Sequence, residues 1–280
     1  MVGVWLRPQF RRFGFELHSQ MRGGSHVPFR IRRFRPVSPV ALVPSSHFKV
    51  HMNDVTSYAG FSYHENGWHP HVETLKEYQA DPSLRYQDST LGRLHHVFVP
   101  RTLREVFFDA TYGPMPPLDS LPVIRQLYRY IWNVEPKTLR SLGPDAGSLP
   151  GKGSQYFGPH GAFEGEQHFR RLIEVYESIR RDGYRPSRPI GGYIVASSDR
   201  FRFVVSSGNH RLAALRVLGV DRFDARFTAS HVAVVHSEDL DLWTTDRGAL
   251  LARRTAEALH TMLLHETGWQ RAQRLGLLGR

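Results

Sequence analysis

The chain has 280 residues, 40% of them hydrophobic and 22% charged, which is typical of a globular protein with a sizeable core. It contains no cysteine, which excludes disulfides, thiolate catalysis and cysteine-ligated zinc. It also has no apolar run long enough for a transmembrane helix and no continuous apolar stretch of the kind found in signal peptides. We therefore expect a cytoplasmic protein.

The net charge of +11 is concentrated at the N-terminus. Residues 1–36 contain eight arginines and one acid, so they supply seven (eight minus one) of the eleven excess charges. We expect residues 1–44 to be a basic, disordered arm and linker. The alternative is an arm that binds nucleic acid or an anionic membrane surface.

Residues 45–150 are predicted to form a less regular, mainly helical region. Apolar residues recur at helical spacing over 72–80 and 118–132, whereas 50–70 is irregular and rich in aromatic residues and histidine. The pairs His69/His71 and His95/His96 resemble metal ligands. No third ligand stands at a standard spacing, so we predict no metal site.

A glycine- and proline-rich stretch marks a domain boundary near residue 150. Beyond it, residues 151–236 predict a regular α+β module, and residues 237–280 predict a C-terminal helix at 246–265. The predicted order in the module is helix, two strands, helix and two strands, at 164–182, 192–196, 200–205, 209–218, 223–227 and 232–235.

The segment Ser206-Ser207-Gly208-Asn209-His210-Arg211 joins a predicted strand to a predicted helix. Gly208 allows a sharp turn and a close approach of the backbone to a ligand. The helix N-terminus that follows favours an anion, and His210 and Arg211 add donors suited to phosphate oxygens. We therefore predict a phosphate site formed by these six residues. The alternative is that His210 packs in the core and Arg211 pairs with an acid.

The run from Ser178 to Phe227 resembles the ParB/sulfiredoxin superfamily. Its members share a helix ending in Ser-Ile and a glycine, a β-hairpin, and a Gly-x-[His/Arg]-Arg turn before an alanine-rich helix. Here these features are Ser178-Ile179, Gly183, the hairpin at 192–205 and Gly208–Arg211. The resemblance implies a mixed sheet with helices. The stretch 156–184 also resembles a little-characterised bacterial group linked to surface polysaccharide gene clusters.

Members of the superfamily differ in activity. Sulfiredoxins need a cysteine where Asn209 stands, which excludes that activity. Partitioning ParB proteins bind CTP with a Gly-Glu-Arg-Arg turn and have a helix-turn-helix domain downstream; this chain departs from both features. Free-serine kinases, with a Gly-His-His-Arg-like turn and a glutamate base, are the nearest match.

A kinase of this type would use Mg²⁺ with ATP or CTP and a base for the acceptor hydroxyl. Glu164 and Glu166, in the first turn of the first module helix, are the candidates for base or metal ligand. The alternative is that they only compensate the helix dipole. Lys152 and His160 either close over the phosphates or are plain loop residues.

Three functions stay open at this point. The first is an ATP- or CTP-dependent phosphotransferase or nucleotidase that acts on a small hydroxylated metabolite or sugar. The second is a nucleotide sensor without turnover. The third is a ParB-like DNA-binding protein or nuclease that uses the arginine-rich arm.

Overall fold

The computed structural model describes residues 15–18, 30–33, 47–109, 111–129, 131–133, 153–185, 189–228, 233–244 and 250–278. Over these residues the protein is a mixed α+β structure. The strands are β1 Phe15–His18, β2 Arg30–Arg33, β3 His47–His51, β4 Val55–Ser57, β5 Ile190–Ala196, β6 Phe201–Ser207, β7 Arg222–Phe227 and β8 Val234–His236. The α-helices are α1 Pro70–Ala80, α2 Thr90–Val97, α3 Leu103–Phe107, α4 Arg125–Arg129, α5 Ala162–Asp182, α6 Asn209–Val217, α7 Arg253–His265 and α8 Trp269–Arg274. Within the described ranges, none of the helices is both long enough and apolar enough to cross a membrane.

Strands β3 to β8 form one six-stranded mixed sheet. Its order is β3-β7-β5-β6-β4, and β8 pairs with the last part of β5. Strands β5 and β6 form an antiparallel hairpin, whereas β4 runs parallel to β6 and β7 runs parallel to β5. Strands β1 and β2 form a separate antiparallel pair. The main sheet therefore takes strands from both sides of the predicted boundary near residue 150.

The sheet has an apolar core on each face, because successive side chains of a strand point to opposite sides. On one face, Tyr193, Val195 and Val204 pack in a core that includes residues of α7. On the other face, Ile194 and Phe203 pack in a core that includes residues of α1, α5 and α6. These three helices and the sheet surround the turn between β6 and α6.

The predicted order of elements from α5 to β8 is confirmed, with boundary shifts of a few residues. The predicted helix at 118–132 is α-helical only over α4, followed by a 3₁₀ turn at Ile131–Asn133. The reason is Pro122, which disfavours a helical Leu121; the carbonyl of Leu121 instead accepts the amide of Leu103 at 2.9 Å. The C-terminal helix begins at Arg253, and residues 246–249 of its predicted range lie outside the described residues.

Candidate functional site

The turn between β6 and α6, residues 206–211, is made by Gly208, and we refer to it as the Gly208 turn. Its φ of +92° lies in the left-handed region that favours glycine. A Cβ at this position would stand 2.9 Å from Nη2 of Arg211 and 3.1 Å from Cγ1 of Ile190. The Arg211 guanidinium therefore lies against the turn. Among the described residues, no side chain caps the N-terminus of α6, so its first amides have no side-chain acceptor there.

A second arginine reaches the same turn from a distant part of the chain. Nη2 of Arg129, in α4, donates to the backbone carbonyl of Ser206 at 2.5 Å. The hydroxyl of Ser206 donates to the carbonyl of Gly191 at 3.2 Å and lies 2.9 Å from Oγ1 of Thr228. The Ser206 side chain is thus engaged with the sheet, while two arginines lie beside an uncapped helix N-terminus. This arrangement suits an anion with several oxygens.

Asn209 is tied to a chain of buried hydrogen bonds. Its Oδ1 accepts the hydroxyl of Tyr156 at 2.7 Å, and its backbone carbonyl accepts the hydroxyl of Tyr63 at 3.3 Å. Nδ1 of His69 accepts the amide of His71, so Nε2 of His69 bears the proton and donates to the Tyr156 hydroxyl at 3.3 Å. Burial raises the pKa of Tyr156 well above its ordinary value, which keeps the hydroxyl a donor. Asn209 therefore positions the turn through Oδ1.

Six histidines from five parts of the chain lie next to one another beside this turn. We call them the histidine cluster: His69, His71, His95, His160, His168 and His210. Ring centroids are 5.1 Å apart for His71 and His210, and 4.2 Å apart for His95 and His160. His160 and His168 are 5.2 Å apart. The side chain of His160 is only 4% exposed, and His69, His71 and His95 are also buried.

Burial keeps most of these imidazoles neutral. It lowers the pKa of His95 to about 3, with His160 as a further cause. It lowers the pKa of His210 to about 4, assisted by the nearby His168 and Arg171. The pKa values of His69 and His71 are held well below their ordinary value by burial and then by the adjacent His210. At neutral pH these rings are acceptors and single donors, not cations.

Four ring nitrogens of the cluster are buried and have no hydrogen-bond partner in the described part of the chain: His71 Nδ1, His95 Nε2, His160 Nδ1 and His210 Nε2. Two of these rings have a backbone carbonyl next to their other nitrogen. Nε2 of His71 lies 3.0 Å from the carbonyl of Gln155, and Nε2 of His160 lies 2.8 Å from the carbonyl of Ser154. A carbonyl only accepts, so both Nε2 atoms donate. Because burial keeps the pKa of His71 well below its ordinary value, this ring is neutral and its Nδ1 presents a lone pair. No group of three histidine, aspartate or glutamate side chains among the described residues is arranged to hold a metal ion.

The two candidate glutamates lie in different surroundings at the start of α5. Oε2 of Glu164 is 3.8 Å from Nδ1 of His160, and its side chain is 56% exposed. Glu166 is paired with Arg170 on the same helix at 3.0 Å. Glu164 thus adjoins the histidine cluster and Glu166 is engaged within α5. Lys152 lies outside the described residues.

Sequence reasoning missed Arg129 as part of the site and missed the cluster as a whole. The pair His69/His71 was visible as a motif, but its neighbours are distant in the sequence and no local spacing joins them. The scan against family models and the searches of curated proteins and of solved structures give no match. Function is therefore inferred from the geometry of the Gly208 turn and the histidine cluster.

Proposed function

We propose that this chain is a nucleotide-binding protein of the ParB/sulfiredoxin type that transfers the terminal phosphoryl group of ATP or CTP, bound with Mg²⁺, to a small hydroxylated metabolite or sugar. The observation that carries the proposal is the uncapped N-terminus of α6 at Gly208, with Arg129 and Arg211 both at the turn.

Each component of the turn favours phosphate for a separate physical reason. The amides at a helix N-terminus point along the axis and add their partial positive charge. Arginine offers planar, permanently charged donors that match phosphate oxygens. Arg211 belongs to the turn itself, whereas Arg129 reaches it from α4 through a contact that is distant in the sequence. The order of α5, the β5–β6 hairpin, the turn and α6 also supports the resemblance to the superfamily.

A magnesium ion would be carried by the nucleotide, because Mg²⁺ keeps most of its waters and needs only one or two protein carboxylates. Glu164 fits this role better than Glu166, since its carboxylate is exposed and makes only a 3.8 Å contact with His160. Glu166 is paired with Arg170. When bound, the ion would neutralise charge on the phosphates.

Calorimetric titration with MgATP and MgCTP tests the proposal. We expect binding by the full chain, and about tenfold or greater weakening for both Arg129→Ala and Arg211→Ala, since a hydrogen bond to a charged group contributes about 1.5–3 kcal/mol. Arg222→Ala is the control, because this exposed arginine lies at the end of β7 that pairs with His51, away from the turn. Absence of binding, or equal affinity in all three variants, would contradict the proposal. Binding without release of a nucleoside diphosphate for any acceptor would favour a sensor.

A further inference from the structure

Unpaired polar atoms are concentrated in the histidine cluster. In the part of the chain that the structure describes, eight buried side-chain nitrogen or oxygen atoms have no hydrogen-bond partner, and four of them are ring nitrogens of this cluster. Folded proteins satisfy most buried polar groups, and each exception calls for a ligand, water or ion. Four exceptions in one place therefore indicate a site for a polar occupant.

The hydrogen-bonding state of the cluster favours a ligand that can donate hydrogen bonds. Nδ1 of His71 presents a lone pair, since the ring is neutral and its Nε2 donates to a carbonyl. A hydroxyl group can fill such a position by donating to the lone pair. A metal ion could also do so, but no metal-binding group of three is arranged among the described residues.

The charges around the cluster favour an uncharged occupant. On one side of the cluster, Oε2 of Glu164 lies 3.8 Å from Nδ1 of His160. On another side, the positive charge of Arg171 helps to lower the pKa of His210. Because these two side chains have opposite charges, together they favour an occupant with no net charge. Burial keeps the imidazoles of His71 and His210 neutral, because it lowers their pKa values. A small molecule with several hydroxyl groups and no net charge fits these surroundings best.

We infer that the histidine cluster is the acceptor subsite: it binds an uncharged polyhydroxylated molecule of sugar type through Nδ1 of His71 and Nε2 of His210, two buried ring nitrogens without a partner among the described residues. The role in phosphoryl transfer rests on the proposed function, whereas the binding itself can be measured without nucleotide. His210 belongs to the Gly208 turn, and its ring centroid is 5.1 Å from that of His71. Acceptor and phosphate would thus meet at one residue.

The same placement makes His210 the base for the transfer. The acceptor oxygen forms a bond to the terminal phosphorus of the nucleoside triphosphate, and the bond from that phosphorus to the bridging oxygen breaks. The nucleoside diphosphate leaves with the electron pair of the broken bond. In the tautomer that carries its hydrogen on Nδ1, His210 takes the hydroxyl proton at Nε2, which has no partner among the described residues. A neutral imidazole is required for this step.

The test uses the full chain with ¹⁵N-labelled histidine. Glycerol, D-ribose, D-glucose and N-acetyl-D-glucosamine are titrated while the imidazole nitrogen and carbon-bound proton signals of each ring are followed. We expect at least one of these to shift the signals of His71 and His210 in a saturable manner. His210→Asn should abolish the saturation, and His96→Asn, at an exposed ring next in sequence to His95, should leave it unchanged. The wild-type titration requires no variant to fold.

Three results would overturn the inference. These are unchanged cluster signals with all four polyols, shifts in His210→Asn equal to those of the wild type, and stoichiometric binding of Zn²⁺ to the cluster.

In a transfer assay with the polyol that binds, His210→Asn should lower kcat about 100-fold or more and remove the acidic limb of the pH profile. Nucleotide binding without polyol binding would defeat this inference alone. Polyol binding without nucleotide binding would defeat the proposed function alone.

Discussion

The histidine cluster should make the folded state sensitive to mild acid. An unfolded histidine has a pKa near 6.5, whereas burial lowers the pKa of His95 to about 3 and that of His210 to about 4. Because the folded-state pKa lies below the unfolded one, the unfolded chain binds more protons as the pH falls. The stabilisation is therefore fully present above about pH 6.5 and is lost as the pH falls towards the folded-state values.

The size of the effect follows from the two values. Each proton that only the unfolded chain binds lowers the free energy of unfolding by about 1.4 kcal/mol per pH unit. For His95 and His210 together this amounts to roughly 4 kcal/mol between pH 7 and pH 5, allowing for partial protonation near pH 6.5. His69 and His71 act in the same direction. The charged side chains next to these histidines are those of Glu164 and Arg171. Both are more than half exposed, so solvent screens their effect on the rings.

Urea unfolding followed by tryptophan fluorescence at pH 8, 7, 6 and 5 measures this loss, since the chain has five tryptophans. His95→Gln should reduce the fall between pH 7 and pH 5 by about 2 kcal/mol, whatever it does to the stability at pH 8. His96→Gln should keep the full fall, because this ring is exposed. A free energy of unfolding that does not change from pH 8 to pH 5, or an equal slope in His95→Gln, would refute the reasoning.

Three further predictions concern the turn and the start of α5. Gly208→Ala should destabilise the protein by about 1–3 kcal/mol more than Gly183→Ala in urea unfolding, because both glycines have positive φ but only Gly208 has atoms within 4 Å of the added Cβ; equal losses would contradict this. Tyr156→Phe should cost about 1–3 kcal/mol by leaving a buried amide oxygen without its donor, and an unchanged midpoint would argue against the hydrogen-bond chain. Glu164→Gln should raise the Mg²⁺ concentration needed for nucleotide turnover several-fold, whereas Glu166→Gln, which loses only its pair with an arginine, should not; the reverse order would reject Glu164 as the metal ligand.

The helices and strands near the Gly208 turn were predictable, because each has a hydrophobic pattern within its own short stretch of sequence. Helix α5 has an apolar stripe over 21 residues, and β6 alternates between its two faces. Strands β3 and β4 were not predicted, since five and three residues are too few for a periodic pattern. Their place in the sheet depends on pairing with strands far along the chain: Lys49 of β3 lies opposite Asp224 of β7, and Thr56 of β4 lies opposite Val204 of β6.

The residues around the turn were predictable only in part. The sequence of the turn itself indicates an anion site through glycine and the His-Arg pair. Arg129 gave no such signal, because an arginine on a short helix normally faces solvent, and only tertiary contact brings it to Ser206. The cluster is likewise a product of packing: its rings come from the start of α1, from α2, from the loop before α5, from α5 and from α6.

Asn209 connects these two parts of the site. The sequence predicts it as a phosphate ligand, yet its Oδ1 is occupied by Tyr156, whose hydroxyl also accepts from His69. The remaining donor of this side chain is the Nδ2 amino group. A ligand that draws this amino group or the adjacent backbone amides towards itself must also pull on the tyrosine and, through it, on His69. Occupation of the Gly208 turn and the arrangement of the imidazoles are therefore coupled through a single hydrogen-bonded path, in which every donor and acceptor role is fixed by the neighbouring one.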